Sequence, residues 1–171
     1  MKKVLLIIAH LDFQPLEYGG PKKVLSAAGV QVVTASDQGG IAMAAYTGEK
    51  VPVDLTLDQV KPAEYDGIFL IGGPGAPDYL NNEITYKIMR EIAVSGKLWG
   101  AICISPRILA AAGVLQGKKA TGWNGDGELG VVLEGAGAEY VREPVVDGKF
   151  ITACGPVAAE DFGRAILQAL E

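Results

Sequence analysis

Cysteine and histidine are scarce in this 171-residue sequence, which contains two cysteines and one histidine. So few cysteines argue against a disulfide scaffold and predict free thiols at rest. Positive charge is also in deficit, because 15 Lys and Arg face 20 Asp and Glu, for a net charge of -5. Non-specific nucleic-acid binding needs a basic surface that replaces counterions, so we expect no nucleic-acid partner.

The sequence also lacks any apolar run that approaches the ~18 residues of a membrane span, so we expect no membrane partner. The apolar run at residues 4–9 follows Lys2 and Lys3, as in a signal peptide. It ends at His10, however, and no A-x-A cleavage pattern follows it closely. We interpret the run as a buried first strand and expect the protein to be cytoplasmic.

The composition is that of a globular protein, with 49% hydrophobic and 20% charged residues. The length predicts one domain over residues 1–171. Strand-like and helix-like segments alternate, which predicts an α/β fold with a mostly parallel sheet and an active site at the carboxyl ends of the strands. The predicted strands are residues 3–9, 30–35, 41–46, 51–55, 68–71, 98–102, 118–121, 140–146 and 149–152. The predicted helices are residues 17–28, 83–94, 104–112, 128–134 and 156–170.

The most informative segment is residues 100–106, where a predicted strand runs directly into a predicted helix with Cys103 at the joint. This is the pattern of a nucleophile elbow, whose tight turn requires small neighbours such as Ala101 and Ser105. A helix that starts here directs its N–H groups at the sulfur and is expected to lower the pKa of Cys103. The local pattern is equally compatible with a cysteine that is only a small buried side chain.

Two glycines, Gly72 and Gly73, follow another predicted strand and precede Pro74 and Gly75. Glycines at a strand end allow a backbone N–H to approach a substrate oxygen, as an oxyanion hole requires. The spacing fits neither a P-loop nor a dinucleotide-binding motif. Taken alone, the segment is that of an ordinary Gly-rich strand-to-helix turn.

Glu17 lies at the beginning of the first predicted helix, above the carboxyl edge of the predicted sheet. From there it can hydrogen-bond a nearby sulfur, or transfer a proton if burial raises its pKa. The alternative is a first-turn glutamate that is favoured only by the helix dipole.

Together these segments resemble the ThiJ/PfpI superfamily, which includes the parkinsonism-associated protein deglycase and the PfpI-type intracellular peptidases. The resemblance covers nearly the whole chain, in order. It is carried by Glu17 with Pro21 four residues later, by residues 71–73 and 101–103, by Pro106, and by residues 109–110, 112–115, 117–121, 136–138, 145–148 and 151–156.

The resemblance implies a flavodoxin-like three-layer α/β/α sandwich with a mostly parallel sheet and a nucleophile elbow. It implies Cys103 as a nucleophile or oxidation-sensitive thiol, hydrogen-bonded to Glu17, with the N–H groups of Gly73 and Ile104 as oxyanion donors. A homodimer or higher homo-oligomer is also implied. No cofactor is expected, and the Gly-rich loop that holds Asp126 has no metal-ligand spacing, so no metal is expected either.

The sequence departs from the family pattern at positions that bear on catalysis. Ile104 stands where PfpI-type members have a histidine, and Trp123 stands where the deglycase branch has one. Gln14 replaces a frequent second acid, and Cys154 replaces an arginine. Gln14, Gly72, Trp123 and Cys154 are candidates to line the pocket. Cys154 is alternatively a packed thiol, or a partner that forms a disulfide with oxidised Cys103.

The only histidine, His10, ends the first predicted strand and is a further pocket candidate, or simply a hydrogen-bonded loop residue. Without a histidine beside Cys103, peptide hydrolysis lacks a general acid, which disfavours a PfpI-type peptidase. We therefore expect a glyoxalase- or deglycase-like enzyme that acts on a small carbonyl substrate, with Cys103 as nucleophile and Glu17 as proton partner. The alternatives are a protein that senses an oxidant through sulfinate formation on Cys103, and a chaperone.

Overall fold

The computed structural model describes residues 1–171 and alternates strands with helices along the chain. The strands are β1 (Lys3–Ile8), β2 (Leu11–Phe13), β3 (Gln31–Ser36), β4 (Gly40–Ala44), β5 (Lys50–Val53), β6 (Leu55–Thr56), β7 (Gly67–Leu70), β8 (Leu98–Ile102), β9 (Lys119–Ala120), β10 (Glu139–Tyr140), β11 (Val145–Asp147) and β12 (Phe150–Ala153). The α-helices are α1 (Pro15–Ala27), α2 (Ala76–Tyr79), α3 (Glu83–Ala93), α4 (Pro106–Ala112), α5 (Leu129–Gly135) and α6 (Ala159–Leu170). Three short 3-10 helices lie at Leu57–Gln59, Pro62–Glu64 and Pro156–Ala158.

The centre of the molecule is a seven-stranded sheet with the strand order β11-β12-β8-β7-β1-β3-β6. All neighbouring strands are parallel except β11 and β12, which form an antiparallel hairpin at one edge. The carboxyl ends of β1, β7, β8 and β12 therefore meet at one edge of the sheet. Residues that follow these strands are brought together there, although they are far apart in sequence.

Side chains of β1 alternate between two apolar clusters, one on each face of the sheet. Leu5 and Ile7 pack with residues of α3, α4 and α5, while Leu6 and Ile8 pack with residues of α1 and α6. The continuous apolar run of β1 is explained by burial on both faces. The predicted three-layer α/β/α sandwich with a mostly parallel sheet is confirmed.

The structure corrects the prediction that residues 140–146 form one strand. β10 ends at Tyr140 and pairs with β9 in a small separate sheet, while β11 begins at Val145 and pairs with β12. Pro144 lies between them and has no N–H to donate to a strand ladder, so the segment cannot continue as one strand. The predicted helix 156–170 likewise divides into a 3-10 turn followed by α6.

The predicted strands 41–46 and 51–55 form a hairpin, β4 and β5, which lies outside the main sheet in a second sheet with β2. β2 was not predicted, because its three residues are too few for their alternation to indicate a strand. The hairpin reaches the carboxyl edge of the main sheet and places Tyr46 there. None of the helices has the length and apolar character needed to cross a membrane.

Candidate active site

Cys103 occupies a strained turn directly after β8. Its φ angle is 64°, a left-handed conformation that L-residues with a side chain rarely adopt. The turn is held on one side by the backbone N–H of Cys103, which donates to the carbonyl oxygen of Ala153 at 3.0 Å. Behind it, the Ser105 hydroxyl donates to the carbonyl oxygen of Ile71 at 2.7 Å. Strain of this kind persists only where surrounding contacts enforce it, as in the predicted nucleophile elbow.

The predicted helix 104–112 begins two residues later than expected, at Pro106. Proline has no backbone N–H, so the start of α4 offers the sulfur fewer donors than the sequence analysis assumed. The N–H groups that do hydrogen-bond the Cys103 sulfur are those of Ile104 and Gly73. These are the two residues that the family resemblance implies as oxyanion donors.

The two glycines after β7 allow this close approach. A Cβ on residue 72 would lie 2.5 Å from Oε2 of Glu17 and 2.6 Å from Cβ of Cys103. Gly73 has a φ angle of 117°, and a Cβ there would lie 2.5 Å from the carbonyl oxygen of Asp12. Only glycine fits at both positions.

Glu17 is fully buried in the first turn of α1 and faces Cys103. Its Oε2 accepts a hydrogen bond of 2.9 Å from the N–H of Gly72, whereas Oε1 has no hydrogen-bond partner. The carboxyl is within hydrogen-bonding range of the Cys103 thiol. Burial raises the pKa of Glu17 to about 7, because the hydrogen bonds from Cys103 and Gly72 offset only part of the desolvation.

The pKa of Cys103 is raised, contrary to the direction expected from the sequence. Burial is the largest cause, followed by the charge and the hydrogen bond of Glu17, and the N–H groups of Ile104 and Gly73 lower it only in part. With Glu17 ionised, the resting sulfur is therefore a thiol and not a thiolate. Reaction at the sulfur then needs a base, and Glu17 is the titratable group in contact with it.

A cavity of about 380 Å³ opens above the sulfur, within the size range of small-molecule sites. Glu17 is its only carboxylate, and neither a lysine, an arginine nor a histidine lines it. The lining residues are Gln14, Glu17, Tyr46, Gly73, Pro74, Pro77, Cys103, Ile104, Trp123 and Pro156. A larger groove nearby shares Gln14, Tyr46 and Pro156 with this cavity but contains no cysteine.

Gln14 and Trp123, two of the predicted pocket residues, also have structural roles. Oε1 of Gln14 accepts hydrogen bonds from the N–H groups of Leu16 at 2.6 Å and Glu17 at 3.2 Å, so it caps α1. An amide can replace an acid here because the cap needs only an acceptor. Trp123 donates its backbone N–H to the carbonyl oxygen of Cys103 at 2.7 Å, which ties the wall of the cavity to the elbow.

The structure does not bring His10 to the cavity. Its Nδ1 lies 2.6 Å from Oδ2 of Asp37, and its ring packs edge-on against Tyr79. Asp37 also accepts a hydrogen bond from the His10 backbone N–H at 2.9 Å. His10 is thus held at the end of β3, and the cavity contains no substitute for the missing histidines.

Cys154 follows β12 and does not line the cavity either. It is half-buried and packs, like Cys103, against the apolar cluster between the sheet and helices α1 and α6. The chain holds no group of three or more His, Cys, Asp or Glu side chains placed to bind a metal.

Sequence reasoning missed Tyr46 and Pro77 in the cavity and Arg107 beside it. Arg107 lies one turn after Cys103 and forms an ion pair with Asp126, with a distance of 2.7 Å between Nη2 and Oδ1. Tyr46 has a φ angle of 66°, which the sequence does not signal. The only indication of Arg107 in the sequence was its position, four residues after the candidate nucleophile Cys103.

Comparison with known proteins adds to this geometry. Residues 2–169 match the model of the DJ-1/PfpI family. The chain belongs to the DJ-1/PfpI family. It is 36% identical to deglycase PfpI of Pyrococcus furiosus over 155 residues, which are 90% of this chain and 90% of that protein. It is 33% identical over 174 residues to protein/nucleic acid deglycase 2 of Escherichia coli, with 99% of each chain covered.

Among solved structures, the DJ-1beta of Drosophila melanogaster superposes on this DJ-1/PfpI family member with a TM-score of 0.88. The two sequences are 28% identical, and the match covers 99% of this chain and 90% of that one. The predicted membership of the ThiJ/PfpI superfamily is therefore confirmed, together with its fold.

Proposed function

We propose that this protein is a cysteine-dependent enzyme of the glyoxalase or deglycase type that acts on small reactive carbonyl compounds. One observation carries the proposal: a buried carboxyl with a pKa of about 7 lies against a cysteine on a strained turn, at the base of a cavity. Relatives at 33 to 36% identity that are named deglycases support the same class of chemistry.

The proposed mechanism uses Glu17 first as a base. Ionised Glu17 takes the thiol proton while the Cys103 sulfur adds to the aldehyde carbon. Glu17 then gives this proton to the substrate oxygen, which completes a hemithioacetal and leaves Glu17 ionised. The N–H groups of Gly73 and Ile104, which hydrogen-bond the sulfur at rest, are near enough to stabilise charge on the substrate oxygen. Glu17 then carries a proton from the former aldehyde carbon to the neighbouring carbonyl oxygen, which gives an enediol. The neighbouring carbon next gains a proton while the hydroxyl on the former aldehyde carbon loses one, which gives a thioester. The resulting thioester is hydrolysed by water to a 2-hydroxy acid and the free thiol.

The absence of histidine from the cavity disfavours a peptidase. An amine leaving group needs a proton from a general acid, and loss of such a group typically costs ~10²–10⁴ in rate. Addition to an aldehyde has no leaving group at the first step, so a single carboxyl suffices. This difference in chemical demand is the reason that we favour a carbonyl substrate.

Loss of methylglyoxal, with formation of lactate, tests the proposal directly. We expect turnover by the wild-type protein and none by Cys103→Ser or Cys103→Ala, while Cys154→Ser retains the wild-type rate. Cys154 is the matched control because it is the other half-buried thiol at the same edge of the sheet. Equal activity of the Cys103 and Cys154 variants would refute the proposal.

The second candidate is an oxidant sensor in which Cys103 becomes a sulfinate. It is favoured by the two backbone N–H groups at the sulfur, which suit sulfinate oxygens, and opposed by the raised pKa of Cys103, since the thiolate is the form that peroxide oxidises. A peroxide-dependent gain of two oxygen atoms on Cys103 without carbonyl turnover would favour this candidate. Holdase activity that survives Cys103→Ala would instead indicate a chaperone.

We further propose that the protein is cytoplasmic and acts as a homodimer or higher homo-oligomer. Exposed apolar side chains of Leu16, Tyr46 and Val157 beside the cavity support self-association. Light scattering during size-exclusion chromatography tests this, and a monomer at micromolar concentration would contradict it.

A further inference from the structure

The loop between β9 and α5 forms one wall of the Cys103 cavity through Trp123, and hydrogen bonds tie it to the elbow and to α4. Trp123 is the part of the loop that reaches the cavity, and 40% of its surface is exposed. Its backbone N–H donates to Cys103 at 2.7 Å. Its indole lies against the backbone of Gly125, where any side chain would collide with the ring.

Arg107 holds this loop from the side of α4. Its Nη1 and Nη2 donate to the two carboxylate oxygens of Asp126 at 2.8 and 2.7 Å, a bidentate pair. Nη2 also donates to the carbonyl oxygen of Trp123 at 3.2 Å. The guanidinium lies 5.5 Å from the centre of the indole ring, within the range of a cation–π contact. A single side chain therefore fixes both the backbone and the ring of Trp123.

The Arg107–Asp126 ion pair can hold the loop in place without responding to pH near neutrality. The hydrogen bond from Arg107 lowers the pKa of Asp126 to about 2, so the carboxylate remains charged over the pH range in which Glu17 titrates. Asp126 also accepts a hydrogen bond from the N–H of Glu128 at 3.1 Å, which connects the pair to the start of α5.

The residues that line the cavity indicate which kind of substrate Trp123 contacts. Besides the reacting groups, the cavity is lined by an indole, the ring of Tyr46 and the rings of Pro74, Pro77 and Pro156. No cationic side chain lines the cavity to pair with a substrate carboxylate or phosphate, and the one ionisable acid, Glu17, repels anions. The volume of about 380 Å³ also exceeds what a three-carbon aldehyde fills.

We propose that Trp123 is the specificity-determining wall of this site, that the Arg107–Asp126 pair positions it, and that it selects uncharged α-oxoaldehydes bearing an aromatic or other apolar group. This inference rests on the proposed carbonyl chemistry of Cys103. Arg107 is a positioning residue, because it acts through Trp123 and does not line the cavity.

The test compares initial rates with phenylglyoxal, methylglyoxal and the anion glyoxylate. Initial rates are needed because phenylglyoxal also modifies arginine slowly. We expect the wild type to prefer phenylglyoxal in kcat/KM, and glyoxylate to be the poorest substrate. Trp123→Ala should lower the ratio of phenylglyoxal to methylglyoxal by about 3- to 10-fold, mainly through KM, as expected for a lost aromatic contact. Trp123→Phe should restore most of the ratio.

Arg107→Gln should lower the same ratio, and Arg107→Lys should not rescue it, because lysine cannot form the bidentate pair. Arg90→Gln is the matched control: Arg90 forms a 2.7 Å ion pair with Glu83 and lies 5.7 Å from the centre of the Tyr86 ring, but does not line the cavity. The ratio should be unaffected by this control and should not vary with pH. A ratio unchanged in Trp123→Ala would overturn the inference while leaving the proposed function intact.

A binding experiment separates failure of the inference from failure of the proposed function. Acetophenone has the aromatic group but no aldehyde, so it reports on the wall without turnover. We expect saturable quenching of tryptophan fluorescence in the wild type and in Cys103→Ser, and no saturable quenching in Trp123→Phe, where only the buried Trp99 remains. An absence of saturable quenching in the wild type would overturn the inference even if methylglyoxal is consumed.

Discussion

Glu17 accepts a 2.9 Å hydrogen bond at Oε2 from the backbone N–H of Gly72, a residue 55 positions away in the chain. This bond fixes the carboxyl between α1 and the end of β7, where it meets the Cys103 thiol. Burial at this position raises its pKa to about 7, so the group titrates near neutral pH.

The pH dependence of turnover should follow the ionisation of Glu17. Because the proposed mechanism begins with Glu17 as a base, kcat/KM for methylglyoxal should rise as pH increases through about 7 and then level off. Glu17→Gln should lower kcat/KM by about 10²- to 10⁴-fold and abolish the rise. A wild-type activity that falls as pH increases through 7 would instead indicate that protonated Glu17 supports a resting thiolate.

The same ionisation should make the folded state less stable at high pH. Burial raises the pKa of Glu17 from its ordinary 4.5 to about 7, so the folded state holds this proton more tightly than the unfolded state. The contribution of protonated Glu17 to the free energy of unfolding is fully present below pH 4.5 and is lost as pH rises through 7. The loss is about 3 kcal/mol.

Urea unfolding at pH 4.5 and pH 8 measures this effect. Glu17→Gln should be more stable than the wild type at pH 8 and should show little advantage at pH 4.5. Glu91→Gln, at an exposed glutamate of α3, is the control and should behave like the wild type. Identical pH dependence of the wild type and Glu17→Gln would contradict a buried, titrating Glu17.

Alkylation of the thiols should report the raised pKa of Cys103. We expect slow iodoacetamide labelling of Cys103 at pH 7, with the rate still rising above the ~8.5 at which a free cysteine titrates. Glu17→Gln should accelerate labelling, because it removes the negative charge that opposes thiolate formation. Mass spectrometry distinguishes Cys103 from Cys154, which serves as the internal reference. Rapid labelling of wild-type Cys103 at pH 7 would contradict the raised pKa.

Gly72→Ala should inactivate the site. The added Cβ would lie 2.5 Å from Glu17 Oε2 and 2.6 Å from Cβ of Cys103, so the two groups must separate. We expect a loss of at least about 100-fold in kcat/KM, measured with methylglyoxal. Gly19→Ala, on the exposed side of α1, meets no atom within 4 Å and should retain activity. Normal activity of Gly72→Ala would show that the contact between Glu17 and Cys103 is dispensable.

Several features of the site could be predicted from the sequence, because a strand end, a tight turn and a helix start each depend on a few neighbouring residues. The uninterrupted apolar run of β8 before Cys103 indicated a buried strand that ends at a turn, and β8 has the bounds that were predicted. The glycines at 72 and 73 marked a close backbone approach, and Glu17 was placed near the start of a helix. Two predicted elements were wrong at prolines. α4 begins at Pro106, later than predicted, and Pro144 interrupts the predicted strand 140–146.

The sequence by itself determined the layered α/β fold and which residues stand at the carboxyl ends of the strands, because hydrophobic periodicity and turn residues are local properties. Only the tertiary structure decided their chemistry. The pKa of Glu17 depends on how completely other elements bury it, and His10 pairs with Asp37 because β1 and β3 are neighbours in the sheet. The Arg107–Asp126 pair likewise joins residues 19 positions apart. Desolvation and long-range pairing are set by the packing of distant segments, which no local pattern encodes.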